Sequence, residues 1–184
     1  MQKIFLYSFA GIETAKDPGS AVNTQSNAVR CVGNMLLYLH SDRLGSQAEF
    51  DNIMRDGVDA IVHLIHTGKI MKIRWNACYA AGNVLKKKDI ERNSSWKKTL
   101  VDCLLETVEN HQNFKVRINA AYALGCPVRR DTLHDQYTSV IETLVACLGT
   151  THSDEVAGEW THMENLRDQL VLSVCQLLAL CQEQ

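Results

Sequence analysis

Proline stands at only two of the 184 positions, Pro18 and Pro127. Long stretches therefore lack the residue that removes a helix hydrogen bond and crowds the turn before it. None of the seven cysteines forms a Cys-x-x-Cys pair, and an odd number without framework spacing excludes a disulfide scaffold. They read as reduced thiols that pack like small apolar side chains. No apolar run is long enough to cross a bilayer, and the apolar patch within Met1 to Ala10 is too short for a signal peptide. Excess charge of one sign is also missing: 19 Lys and Arg meet 21 Asp and Glu, a formal charge of −2. Without a strong field, neither nucleic acid nor anionic lipid is an expected partner. These absences predict an intracellular protein, cytoplasmic or nuclear, with no membrane contact.

Repetition fills the remaining sequence. Lys72 to Leu85 reads KIRWNACYAAGNVL and Lys115 to Cys126 reads KVRINAAYALGC. Lys72, Arg74, Asn76, Ala77, Tyr79, Ala80 and Gly82 recur 43 residues later at Lys115, Arg117, Asn119, Ala120, Tyr122, Ala123 and Gly125. A copy at Asn27 to Leu36, NAVRCVGNML, lies 49 residues before the first, and NLRDQLVLSVCQLL places Arg167 50 residues after Arg117. Periods of roughly 40 to 47 residues, each carrying two or three helices, mark HEAT and armadillo arrays. The predicted fold is all-α: a right-handed α-solenoid of HEAT/armadillo-like helical hairpins in a single domain spanning 1–184. The partial first unit covers 1–42, followed by units at 43–92, 93–130 and 131–184.

Each unit should pair an outer helix with an inner helix that carries the motif. Phe50, Ile53, Met54, Val58, Ile61, Val62 and Ile65 keep helical spacing after a polar turn and run to Gly68. Trp96, Leu100, Cys103, Leu104 and Val108 form a second outer stripe behind Ser95 as N-cap, and a third outer helix spans about His134 to Leu148. Inner helices are predicted near Ser20 to His40, Ile70 to Lys87, Asn113 to Cys126, and Met163 to Cys181. Gly149 to Glu159 is the longest connection inside a unit. Gly11 to Gly19 reads as a loop, with only Gln2 to Ala10 before it. Ile4, Phe5, Leu6 and Tyr7 at one end, and Leu177, Leu178 and Leu180 at the other, lack the polar outer face that terminal units need. The chain is therefore expected to be a piece of a longer array.

At about 100° per residue, Ala77, Ala80, Ala81, Val84 and Leu85 fall toward the outer helix. The remaining arc holds Trp75, Asn76, Tyr79, Gly82 and Asn83. Stacked units would align Asn27, Asn76, Asn119 and Gln169 in one row, and Arg30, Tyr79, Tyr122 and Leu172 in another. A carboxamide offers a donor and an acceptor together, which suits the backbone of an extended peptide. Aromatic side chains add apolar area with a polar tip. The candidate partner-binding residues are Asn27, Arg30, Asn34, Trp75, Asn76, Tyr79, Asn83, Asn119, Tyr122 and Gln169. Their bland alternative is hydrogen bonding between neighbouring units. Arg74, Arg117 and Arg167 recur near the inner-helix starts, where capping of carbonyls in the adjacent unit's turn is expected.

Ile73-Arg74 and Val116-Arg117, each followed by Asn-Ala-x-Tyr-Ala-x-Gly, resemble the second helix of HEAT repeats. Tyr79 to Asn83 and Cys31 to Asn34 are similar to the inner helix of armadillo repeats, whose asparagine ladder grips extended peptides. Taken together, roughly Asn23 to Cys181 resembles the carboxy-terminal repeats of HEAT repeat-containing proteins. The resemblance implies an armadillo-like scaffold without enzymatic activity. Two departures stand out: Cys126 and Gln176 replace the asparagines of a full ladder, and neither Gly68 to Met71 nor His111 to Phe114 contains the aspartate that the pattern favours before Arg74 and Arg117.

Other chemistry finds little support. None of the seven histidines is followed by glutamate, as in iron-binding HEAT-like hydroxylases. His63 and His66 share one helical face, but a pair of ligands alone rarely makes a metal site. Phosphate-binding, dinucleotide and nucleophile-elbow motifs do not occur. The expectation is a protein or peptide partner and neither enzyme activity nor a cofactor, metal or small-molecule substrate. An alternative is a nuclear-transport or nucleic-acid adaptor using a basic edge of Lys86 to Lys88, Lys97, Lys98, Arg129 and Arg130.

Overall fold

The computed structural model describes residues 18–88, 95–150 and 160–181. Seven α-helices make up most of these residues, and no strand occurs among them. They are α1 Pro18–Tyr38, α2 Gln47–Thr67, α3 Met71–Leu85, α4 Ser95–Asn110, α5 Phe114–Leu124, α6 Tyr137–Thr150 and α7 Trp160–Ala179. Residues 2–10, residues 11–17 of the expected first loop and 151–159 of the expected long connection lie outside the described residues. None of the described helices is long and apolar enough to cross a membrane.

Local chemistry sets several boundaries. Ser46 Oγ accepts from the Glu49 backbone N–H at 3.1 Å, while the Glu49 carboxylate accepts from the Gly45 N–H at 3.1 Å. Two backbone donors at the start of α2 are thereby satisfied. Asn113 does the same for α5, accepting from Val116 N–H at 3.2 Å. The helix expected from His134 starts instead at Tyr137, because His134 has φ of 45° and a left-handed residue cannot continue an α-helix. Helix α5 ends at Leu124, three residues before Pro127, where the Gly125 N–H turns back to Ala121 and Tyr122 carbonyls.

Helices α1, α3, α5 and α7 pack side by side in chain order, as do α2, α4 and α6. Each member of the second set also packs against the helix that follows it, so the molecule has two layers. Phe50, Met54, Ile61 and Ile65 of α2, Leu100 and Leu104 of α4, and Leu144 of α6 fill the seam with Leu85, Leu124, Leu166 and Leu170. Each such side chain contributes about 1.5–3 kcal/mol on leaving water.

Close backbone approach governs the first layer. A Cβ placed on Gly33 would lie 2.6 Å from both Cα and Cβ of Ala80. One on Gly82 would meet Ala123 Cα at 3.2 Å, and one on Gly125 would meet Ser173 Oγ at 2.7 Å. The glycine of each motif thus faces the small residue two positions before the corresponding glycine site in the next. Ala80 therefore packs on α1, not toward the outer helix as its angular position suggested.

All seven cysteines are free. Cys78, Cys103, Cys126 and Cys147 are buried, as expected of apolar packers, but Cys31, Cys175 and Cys181 are exposed. Burial pushes the Cys103 thiol up to about 12 and the Cys78 thiol higher still. Thiolate is the reactive form. Iodoacetamide at pH 8 should modify Cys31 and Cys175 in the folded protein and reach Cys78 and Cys103 only in denaturant, as read by peptide mass spectrometry.

Gly33→Ala should lower stability by about 1–3 kcal/mol, the usual effect of overpacking. Gly149→Ala, with nothing within 4 Å of the added methyl group, should not lower it. Chemical denaturation of both variants checks the pair, and equal stability would show that the α1–α3 approach has room to relax.

Candidate functional site

Lateral packing on both sides leaves α3 and α5 only a narrow free strip. The Tyr79 and Tyr122 rings stack across the α3–α5 boundary, with centroids 5.8 Å apart and planes 2° from parallel. The Arg30 guanidinium of α1 lies 4.6 Å from the centre of the Tyr79 ring. Lys86, directly after α3, lies 5.0 Å from the Tyr122 ring and donates to its hydroxyl at 2.6 Å. Cation, ring and ring thus form one column, with Lys86 at the hydroxyl end of Tyr122, and the Arg30 contact over the Tyr79 face is electrostatically favourable. Lys115 extends the pattern toward the helix N-termini, 5.3 Å from the half-buried Trp75 ring.

The column's protons respond to one another. Burial opposes the charge on Lys86, but the hydrogen bond to Tyr122 together with the neighbouring Cys126, Tyr122 and Tyr79 groups outweighs it and holds the ammonium above the ordinary lysine range. Burial raises the Tyr122 phenol despite that same bond, so Lys86 remains a cation beside a neutral phenol at pH 7. Leu172, at the matching register position of α7, is 51% exposed and presents apolar area at the next step.

The amide row divides into separate arrangements. Asn76 is 5% exposed and donates to the buried Ser26 hydroxyl, whereas Asn83 is 3% exposed and donates to Asn34 Oδ1 at 2.8 Å. Both bonds join α1 to α3. Asn119 donates back to Lys115 O of its own helix at 2.7 Å, and Gln169 to Ser173 Oγ within α7 at 3.1 Å. Asn27 is exposed on α1. Asn27, Asn76, Asn119 and Gln169 therefore share no common hydrogen-bonded line, and the Asn76 and Asn83 amides face a neighbouring helix instead of solvent. The angular reading treated each hairpin alone, whereas α3 has first-layer neighbours on both sides.

Arg74 and Arg117 hold carbonyls of their own hairpins, and Arg74 Nη1 also reaches His111 in the α4–α5 connection. Arg74 Nε donates to Gly68 O at 2.6 Å and Arg117 Nε to Val108 O at 2.7 Å, so each holds the carbonyl end of the preceding helix. The expected capping of an adjacent unit's turn gives way to this shorter reach. The third arginine, Arg167, is exposed.

The basic edge is largely engaged. Lys87 is buried, donates to Leu37 O at 3.4 Å and to Leu39 O, and thereby holds the end of α1. Arg129 pairs with Asp131 at 3.0 Å, Arg130 lies 4.9 Å from the Tyr137 ring, and Lys98 pairs with Asp102 at 2.9 Å. Lys97 is also buried, while Lys88 is exposed. A continuous free ridge is not present, because several of these side chains satisfy carbonyls, carboxylates or ring faces of the same chain. His63 and His66 are both exposed on α2, and no set of three or more metal-ligating side chains converges among the described residues.

Sequence spacing located Arg30, Tyr79 and Tyr122, but the roles of Lys86, Lys115 and Ser26 depend on which helices become neighbours. Asn76→Ala should cost about 1–3 kcal/mol, because the Ser26 hydroxyl loses its donor in a buried position. Asn119→Ala should stay within about 0.5 kcal/mol of wild type. Urea unfolding monitored by circular dichroism measures both, and equal losses would contradict the division between interhelical and local amides.

No protein-family model matches the chain. It is similar to an uncharacterized protein of Dictyostelium discoideum, 29% identical over 121 residues, with 59% of this chain and 8% of that protein covered. The chain thus spans a small part of that relative's length. A crystal structure of an engineered protein superposes with a TM-score of 0.46 at 16% identity, covering 92% of this chain and 63% of the other.

Proposed function

We propose that the chain is a non-enzymatic scaffold that binds a protein or extended peptide along the free strip of α1, α3, α5 and α7. In this reading the two layers are a right-handed solenoid of HEAT/armadillo-type hairpins, related to HEAT repeat-containing proteins. Supporting it are the 43-residue motif period and the recurrence of a glycine-to-small-residue contact at each first-layer boundary.

The column of Arg30, Tyr79, Tyr122 and Lys86 carries the functional reading. Its rings are held in place before any partner arrives, so docking costs little additional side-chain entropy. Half-buried ring edges offer apolar contact, and the flanking cations favour acidic groups on the partner. Exposed Asn27 and Asn34, with Trp75 and Leu172, widen the strip, and amides there can meet a partner's backbone without reading its sequence.

The combined variant Trp75→Ala/Tyr79→Ala should weaken a partner captured by the wild type by about tenfold or more, the behaviour of paired aromatic hot spots. Direct titration with the purified partner measures this loss, and circular dichroism should retain the helical signal. Binding should depend only mildly on salt, because few full charges are matched. Unchanged affinity, or loss of helicity in the variant, would exclude the strip as the binding surface.

A further inference from the structure

Where the α2–α3 and α4–α5 connections meet, an open groove of about 520 Å³ is lined by Met71, Arg74, Asn110, His111, Gln112 and Asn113. A smaller hollow of about 180 Å³ shares Arg74, Asn110 and His111 and adds Ile65, His66, Glu106 and Thr107 to its wall. The Arg74 bond from Nε to Gly68 O fixes the guanidinium, and Nη1 lies 3.3 Å from His111 Nε2. On the other edge of the imidazole, Nδ1 accepts from the Asn113 backbone N–H at 3.0 Å.

An imidazole nitrogen that accepts a hydrogen bond carries no proton. The neutral His111 ring must therefore hold its proton on Nε2. Burial and the nearby Arg74 charge both keep His111 below the ordinary imidazole range, so the ring is neutral at pH 7. Two donors, Arg74 Nη1–H and His111 Nε2–H, then converge 3.3 Å apart beside an open groove. Two adjacent donors do not satisfy each other, and an oxygen placed to accept from both completes the arrangement.

We propose that Arg74 and His111 form a carboxylate-binding site, in which one carboxylate oxygen accepts from Arg74 Nη1–H and His111 Nε2–H. The rest of the ligand occupies the groove beside Asn110 and Gln112. A carboxylate fits better than a phosphate dianion, because Arg74 is the one full positive charge among the described lining residues and Glu106 opposes a second negative charge. This site is built from helix ends and connections, and does not use the rings of the Tyr79–Tyr122 column.

Nuclear magnetic resonance titration of the whole chain at pH 7 tests the proposal with three probes. N-acetylglycine stands for a chain terminus, N-acetyl-aspartyl amide for an acidic side chain, and inorganic phosphate for the competing anion. The free protein should show the Nε2–H tautomer of His111, and either carboxylate should shift the Asn110, His111 and Gln112 signals saturably, more tightly than phosphate. The tighter of the two carboxylates indicates the source. His111→Asn keeps an acceptor for the Asn113 N–H but deletes the Nε2 donor, and should lose roughly tenfold in affinity without a change in melting. His111→Gln, which restores a donor near Nε2, should recover most of that loss. An Nδ1–H tautomer, an unsaturable response to both carboxylates, tighter binding of phosphate, or full affinity in His111→Asn would each overturn the site.

Discussion

Backbone approach between glycine and a small residue is the contact on which the first layer depends. Gly33 against Ala80, Gly82 against Ala123 and Gly125 against Ser173 bring successive helices closer than ordinary side chains permit. The consequence extends one turn away. Arg30, Tyr79 and Tyr122 each precede the motif glycine by three residues and so lie on the same side of their helices. Once the glycines meet, these side chains meet too, and the cation–ring–ring contacts follow. Larger residues at the glycine sites would separate the rings as well as the backbones.

Polar contacts reinforce this spacing instead of setting it. Asn76 with Ser26, Asn83 with Asn34, and Lys72 with Asn23 at 2.8 Å all link α1 to α3. Among the described residues, no buried side-chain nitrogen or oxygen lacks a hydrogen-bond partner. Such satisfaction favours one register between helices, since sliding by a residue would leave buried amides unpaired. The arginines secure the other direction of the stack. Arg74 and Arg117 tie α3 and α5 to the carbonyl ends of their second-layer partners, and Arg74 is thereby positioned against His111.

Much of the local architecture was legible in the residues. The apolar stripe from Phe50 to Ile65 and the spacing from Tyr79 to Tyr122 report directly on helices and their repetition. Less legible was the division of one helical face among three neighbours. Asn76 and Tyr79 are three residues apart on α3, yet the first is buried against α1 and the second is only half-buried over the α5 boundary. Their residue types are compatible with either placement. His134 gave no comparable warning, since its left-handed backbone reflects the turns packed around it and not a helix-breaking side chain.

The sequence by itself determined where helices form and how often the pattern returns, because hydrogen-bond capping and apolar spacing act over a few residues. It also determined which side chains recur at matching positions, since that requires only counting along the chain. The tertiary structure alone decided which amides face solvent, which lysines hold carbonyls, and which two donors converge at Arg74 and His111. Those outcomes depend on distances between residues 36 to 50 positions apart, as in Lys86–Tyr122, Arg74–His111 and Asn76–Ser26. Such distances are set by how closely two backbones approach, and no local pattern encodes them.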